Sequence, residues 1–237
     1  TPLYSSAASD VYKRQEEYYA QCELEGANEH QVEESQKAVA KMEVIIGDPD
    51  RLRAVAEDFI KHYETRVAEG ATVAGKAMFV CSNRNIAYDF YKIVKELRPE
   101  WTEKKICDDG VVLSEKDKKE LKPMEKIKLV MTRNKDDEKD LFDMLGTKED
   151  RKEFDRQFKN PKSNFKIAIV VDMWLTGFDV PELDTIYIDK PIQQHTLIQT
   201  ISRVNRVCEG KDKGLIVDYI GIKKNMNTAL KKSTNFE

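Results

Sequence analysis

The most informative stretch of this chain reads VVDMWLTGFDVP over residues 170–181. An apolar run from Lys166 to Val171 leads into a polar turn that holds Gly177 and Asp179. Continuous apolar runs are typical of strands buried on both faces of a parallel sheet. Open α/β sheets bind their ligands beyond the carboxyl ends of such strands. The stretch therefore predicts a ligand site beside Asp179.

A second patch follows and reads QTISRVNR over residues 199–206. Arg203 and Arg206 are three residues apart and share one face of a predicted helix, and Gln199 lies one turn before Arg203. A guanidinium group is permanently charged and binds phosphate oxygens in a bidentate manner. The turn and the helix together predict one half of a nucleotide site.

Outward from these patches, apolar strands alternate with helices. Asp48 and Pro49 predict the start of a helix that ends near Gly70. Phe154 and Phe158 suit a further helix that stops at Pro161. Near-continuous apolar strands separated by helices imply an α/β fold with a parallel sheet covered on both faces. The other predicted helices are Asn85–Leu97 and Gln194–Arg203, and the predicted strands are Lys76–Cys81, Ile127–Met131, Ile167–Val171, Thr185–Ile188 and Leu215–Asp218.

Composition narrows the class of protein further. The 237 residues suit one or two domains, and 35% of them are charged. The net charge of −3 divides into +5 from Lys190 onward and −8 before it, so the basic end could face phosphates. The sequence contains no run of about 20 apolar residues, so it predicts no membrane span. The cysteines (Cys22, Cys81, Cys107 and Cys208) lie far apart, which predicts a reduced cytosolic protein without a thiol metal site.

The other half of an ATP site has no counterpart in this sequence. No Gly-x-x-x-x-Gly-Lys-Ser/Thr phosphate loop occurs, and no strand-borne pair of acids suits Mg²⁺. We therefore expect that this chain alone does not hydrolyse ATP.

The two patches also resemble known motifs. Gln-x-x-Ser-Arg-x-x-Arg resembles the last motif of superfamily 2 nucleic-acid motors, commonly Gln-x-x-Gly-Arg-x-x-Arg, and TGFDVP resembles the motif before it. With YIDKP at 187–191 and GLIVDYIG at 214–221, the wording is similar to that of the restriction (motor) subunit of type I restriction-modification enzymes. The resemblance is specific from about Lys166 to Gly221 and extends back to Asp48.

The resemblance implies a second RecA-like helicase lobe, preceded by a helical N-terminal segment. We expect residues 1–15 to be a non-native or disordered lead-in and 16–74 a helical connector. Residues 75–222 would form the lobe, and 223–237 would begin a C-terminal helical region. The ATP-binding first lobe and the nuclease would lie upstream, so that the chain is part of an ATP-dependent type I site-specific deoxyribonuclease.

The resemblance also implies roles for single residues. Arg206 would be the arginine finger at the γ-phosphate, with Arg203 as its catalytic partner. Residues at the nucleotide would be Gly177, Asp179 and Gln199. Residues at the DNA backbone would be Ser82, Asn83, Arg84 and Thr176.

Other interpretations of the same residues stay open at this point. Asp179 could be satisfied within a local turn, and the arginines could form surface salt bridges. Asn83 could cap the next helix, and Trp174 could stack on a base or pack into the wall. Asp172 could serve a structural hydrogen bond or the rim of the site.

The implied partners are double-stranded DNA, the first RecA-like lobe and nuclease domain of the same subunit, and separate modification and specificity subunits. The implied cofactors are ATP and Mg²⁺, bound mainly by the first lobe, in the cytoplasm of a bacterium or archaeon. Two competing functions are a lobe of another superfamily 2 helicase acting on DNA or RNA, and a non-enzymatic α/β module that binds nucleic acid or protein.

Overall fold

A computed structural model describes residues 42–175, 178–192, 199–202, 204–206, 208–211 and 214–220. The predicted segment 1–15, most of the predicted connector and residues 223–237 lie outside this range. Within it, residues 42–46 are helical and precede the first complete helix.

Helix α1 spans Pro49–Ala68 and begins where the sequence predicts. The Asp48 side chain accepts a hydrogen bond from the Arg51 backbone N–H, and Pro49 occupies the first turn, where a missing N–H costs nothing. Its apolar residues recur at the helical period, so that one face of the helix is buried against the sheet: Leu52, Val55, Ala56, Phe59, Ile60 and Tyr63.

The remaining elements alternate as expected. After β1 (Lys76–Cys81) and α2 (Arg84–Leu97), a charged stretch forms a 3₁₀ turn (Pro99–Thr102) and the short α3 (Glu115–Glu120). Then follow β2 (Ile127–Val130), α4 (Lys139–Leu145), α5 (Lys148–Lys159), β3 (Ile167–Val170), β4 (Leu183–Asp189) and β5 (Leu215–Asp218). Strand β4 is longer than the predicted Thr185–Ile188, whereas β2 and β3 each end one residue earlier than predicted.

The five strands form one sheet in the order β2-β3-β1-β4-β5, and every neighbouring pair is parallel. Because side chains alternate along a strand, each central strand contributes to both faces. Phe79 and Tyr187 face one core together with α1 and α2, whereas Val80 and Ile188 face the other together with α5. The predicted α/β fold, a parallel sheet covered on both faces, is confirmed.

Aromatic rings fill the core beneath α1 and α2. Phe79 stacks on Phe90 with ring centroids 3.9 Å apart, and Phe59 meets Tyr187 edge-on at 4.8 Å. None of the helices among the described residues combines the length and the apolarity that a bilayer span requires.

Candidate nucleotide and nucleic-acid interface

All five strands end at the same edge of the sheet, because all are parallel. Their last residues are Cys81, Val130, Val170, Asp189 and Asp218. After β1 the chain continues to β2 at one end of the sheet, and after β4 it continues to β5 at the other end. The direction in which the chain crosses the sheet therefore reverses between β1 and β4. In open α/β sheets, the crevice at such a reversal is the usual place for a ligand.

Asp179 and Arg206 meet toward the opposite, amino edge of the sheet, where the Asp179 turn packs on the end of α5 and leads directly into β4. An Arg206 guanidinium nitrogen donates a hydrogen bond to the Asp179 carboxylate, and their side chains remain 52% and 51% exposed. The flanking Phe178 and Val180 are buried and anchor the turn, so that Asp179 is presented to solvent. The two sequence patches are therefore in contact, as a shared site requires.

Gln199 lies on the outer side of the helix that carries the second patch. Residues 199–202 and 204 are helical. Thr200 and Val204, one turn apart, are buried, whereas Gln199 is exposed. The helix therefore presents Gln199 to solvent.

Three of the predicted site residues, Thr176, Gly177 and Arg203, lie outside the described residues. The nucleotide role of Gly177, the catalytic role of Arg203 and the DNA role of Thr176 stay predictions.

Trp174 packs into the wall beneath the Asp179 turn. Its ring stacks on Phe178 at a centroid distance of 4.0 Å and an interplanar angle of 3°, and it lies 5.2 Å from Phe158 of α5. Of the two interpretations that the sequence left open, the structure supports wall packing. The Trp174 φ angle of 69° is unusual for a side chain of this size, so the surrounding packing holds the turn in place.

Lys211 supports the far end of the same turn. Its ammonium group donates to the Pro181 carbonyl at 2.7 Å, and the residue is buried. Burial lowers the pKa of Lys211, because the charged form loses hydration. The turn that contains Asp179 is thus held by aromatic packing before it and by a lysine after it.

The side chains of Ser82 and Asn83 are bound within the protein. The Asn83 side chain accepts from the Ile86 N–H and caps α2, which is the alternative that the sequence left open. The Ser82 hydroxyl donates to the Asp189 carbonyl at 2.9 Å. DNA contacts from these two residues stay predictions.

Arg84 is also engaged inside the protein. It donates to both carboxylate oxygens of Asp137 at 2.5 and 2.6 Å and to the Thr132 carbonyl at 2.7 Å. The contacts tie the start of α2 to the segment after β2. A DNA phosphate would have to approach Arg84 while this pair is intact or displace Asp137 from it.

Lys190 joins the ends of β3 and β4. Its ammonium group lies 2.5 Å from the Asp172 carboxylate and 3.2 Å from the Val171 carbonyl. Asp172 thus makes the structural hydrogen bond that was one of its two open interpretations, and a place at the rim of the site stays a prediction.

The sequence analysis did not predict one buried ion pair, which joins Arg51 and Asp189. The Asp189 carboxylate accepts two hydrogen bonds from Arg51 of α1, at 2.5 and 3.1 Å. The hydrogen bond with Asp189 raises the pKa of Arg51 despite its partial burial. The signal for Asp189 was a charged residue directly after the apolar run Ile186–Ile188, but nothing in the sequence identified Arg51 as its partner.

No group of three or more metal-ligating side chains comes together within the described part of the chain. Cys81 is buried in β1, and burial raises the pKa of its thiol well above the usual range. It packs as a small apolar side chain.

Comparison of the fold shows what class of protein this architecture represents. A fragment of a candidate HsdR subunit of a type I restriction enzyme from Vibrio vulnificus YJ016 has a similar fold, with a TM-score of 0.51 and 14% identity. The similarity covers 78% of this chain and 30% of that fragment. The parallel sheet covered on both faces belongs to the RecA-like class of folds.

Sequence comparison narrows the class to one family. The family model for type I restriction enzyme subunit R domain 3 matches residues 73–221. The chain belongs to this family and carries its C-terminal, second RecA-like helicase lobe.

Two relatives place the chain within longer proteins. It is 37% identical over 206 residues to the HindI endonuclease subunit of Haemophilus influenzae, a match that covers 86% of this chain and 18% of the relative. It is 39% identical over 208 residues to the candidate MjaIXP endonuclease subunit of Methanocaldococcus jannaschii, covering 87% and 17%. The chain thus spans less than a fifth of either relative.

Proposed function

We propose that this lobe forms one side of the ATP site and one part of the DNA path in a type I restriction motor, which moves double-stranded DNA before cleavage. The observation that supports the proposal most directly is the contact between Asp179 and Arg206, which joins the two sequence patches. Both side chains are half-exposed, so a nucleotide on an opposing lobe could reach them.

In this proposal Arg206 is the arginine finger. Its charge would stabilise the γ-phosphoryl group in the transition state, when negative charge spreads over the phosphoryl oxygens. Asp179 would orient the guanidinium before ATP arrives and then face the nucleotide. Gln199 would contact the same nucleotide, and Arg203 and Gly177 would complete this side of the site.

ATP and Mg²⁺ fit this lobe only in part. Arg206 offers an exposed cation for a phosphate, whereas no cluster of metal ligands forms among the described residues. ATP brings a phosphoryl group for transfer to water, and Mg²⁺ would accompany its phosphates. We infer that a first lobe supplies the phosphate loop and the Mg²⁺ ligands.

DNA would follow the ends of β1 and β2. Ser82, Asn83 and Arg84 lie at the start of α2, where backbone N–H groups and the helix dipole favour a phosphate. Arg84 adds a cation at this position, and Thr176 would add a further contact. The modification and specificity subunits and the nuclease domain would complete the complex in the bacterial or archaeal cytoplasm.

Duplex binding by the 237-residue chain tests the DNA part of the proposal. We expect weak binding whose logarithm falls linearly with the logarithm of salt concentration, with a slope of about −0.9 for each phosphate contacted. Fluorescence anisotropy with a labelled duplex between about 50 and 200 mM salt measures this slope. Tight, salt-insensitive or sequence-specific binding would point to a recognition module instead.

Arg84→Ala should weaken binding to all sequences alike and lower the slope by about one. Lys162→Ala is the matched control, because Lys162 precedes β3 at the opposite edge of the sheet and also holds an aspartate, Asp117, at 2.6 Å. An equal loss of binding in both variants would argue against a DNA path at the carboxyl edge.

A further inference from the structure

Arg51 and Asp189 form a bidentate ion pair in which the aspartate is fully buried and the arginine partly exposed. The Asp189 side chain has no exposed surface, and the Arg51 side chain is 24% exposed. An unpaired charge at this depth would be costly, so each group requires the other. The pair links α1 to the end of β4, at the point where the strand order reverses.

Arg51 holds more than Asp189. Its guanidinium also donates to the Ile46 carbonyl at 3.0 Å and to the Tyr219 carbonyl at 3.3 Å. One side chain therefore joins the segment before α1, the end of β4 and the segment after β5. The Tyr219 hydroxyl returns to α1 by donating to Asp58 at 2.7 Å.

Asp189 continues the connection toward the candidate DNA path. Its carbonyl accepts the hydrogen bond from Ser82, directly after β1. The next residue, Lys190, reaches the end of β3 through Asp172. A continuous series of hydrogen bonds and ion pairs therefore connects α1 with the carboxyl ends of β4, β1 and β3.

We propose that Arg51 and Asp189 are positioning residues, which hold α1 against the carboxyl edge so that this edge keeps the geometry that binds DNA phosphates. The inference rests on the proposed function. The physical basis of the positioning role is the directionality of the hydrogen bonds. A planar guanidinium with fixed donors sets the relative orientation of the segments it joins, and apolar packing does not.

The decisive variant removes both charges together. Arg51→Met/Asp189→Leu leaves the net charge unchanged, and apolar replacement of a buried ion pair is often neutral or stabilising. We expect the 237-residue chain with both substitutions to keep its urea unfolding midpoint. We expect it to bind duplex DNA about tenfold more weakly, with a salt slope smaller by about one, because a phosphate contact is lost.

The matched control is Arg53→Met/Glu96→Leu. Arg53 lies two residues further along α1 and pairs with Glu96 of α2 at 3.1 Å, but both side chains are largely exposed, at 46% and 64%. This variant is also neutral in net charge. It should leave the unfolding midpoint, the DNA affinity and the salt slope unchanged.

A second variant decides the matter if the first one does not fold. Arg51→Lys keeps the charge but not the fork, so it should fold and still bind DNA more weakly than the wild type. Wild-type DNA affinity and salt slope in a folded double variant, or in Arg51→Lys, would overturn the positioning role. Absence of salt-dependent binding in the wild-type chain would instead overturn the proposed function, and the inference with it.

Discussion

Two arginine–aspartate pairs of this lobe lie toward opposite edges of the sheet and in different environments. Arg51 and Asp189 form a forked pair whose carboxylate is wholly buried and whose guanidinium reaches two further carbonyls. Arg206 and Asp179 form a pair in which both side chains are half-exposed. The same two residue types thus meet under different solvation.

Solvation decides which pair can change its partner. Breaking a buried pair leaves a charge without water, whereas an exposed pair contributes little and can exchange its carboxylate for another anion. A phosphate can therefore compete for Arg206, but Arg51 is committed to Asp189. The comparison assigns ligand binding to the exposed pair and positioning to the buried one.

The largest expected effect concerns ATP turnover by a subunit that carries both helicase lobes. Arg206→Ala should lower turnover by roughly 10³-fold or more, because arginine fingers act on that scale. Arg206→Lys should recover little, since a point charge does not reproduce the planar fork. Steady-state ATPase assays with DNA measure this loss, and nucleotide affinity should change much less.

A suitable control in the same subunit is Arg53→Ala, which removes an exposed arginine from α1 and should leave turnover unchanged. Near-normal turnover in Arg206→Ala would return Arg206 to the role of a surface salt-bridge residue.

The second effect is on stability, and it compares the pairs directly. Arg51→Ala should lower the free energy of unfolding by about 3–5 kcal/mol, because it leaves the Asp189 charge buried and unpaired. Arg206→Ala should lower it by less than about 1 kcal/mol. Urea unfolding of the 237-residue chain gives both values. Similar losses of stability in the two variants would show that the buried and the exposed pair do not differ in their contribution to stability.

The smallest effect concerns the orientation of Arg206. Asp179→Asn removes the charge that holds the guanidinium, and turnover should fall by roughly tenfold, the scale of one hydrogen bond to a charged group. Asp89→Asn, which disturbs an exposed pair with Lys92 on α2, is the control and should have no effect. Unchanged turnover in Asp179→Asn would show that Arg206 needs no carboxylate to orient it.

Local patterns in the sequence were enough to predict most of the elements. The cap at Asp48, the helical period through Tyr63 and the apolar run of β1 each depend on neighbouring residues, and the structure confirms all three. The two patches likewise indicated the family, because their wording is specific. Asp179 and Arg206 could be selected as site residues for the same reason, although their roles stay predictions.

Partners that are distant along the chain depended on the tertiary structure. Arg51 and Asp189 are separated by 138 residues, and no periodicity or spacing connects them. Asn83 could be read as a cap or a phosphate ligand until its side chain was seen to accept from Ile86. Local structure follows from short-range sterics and burial patterns, so neighbouring residues are enough to predict it. The pairing of buried charges follows from strand order, which only folding brings about.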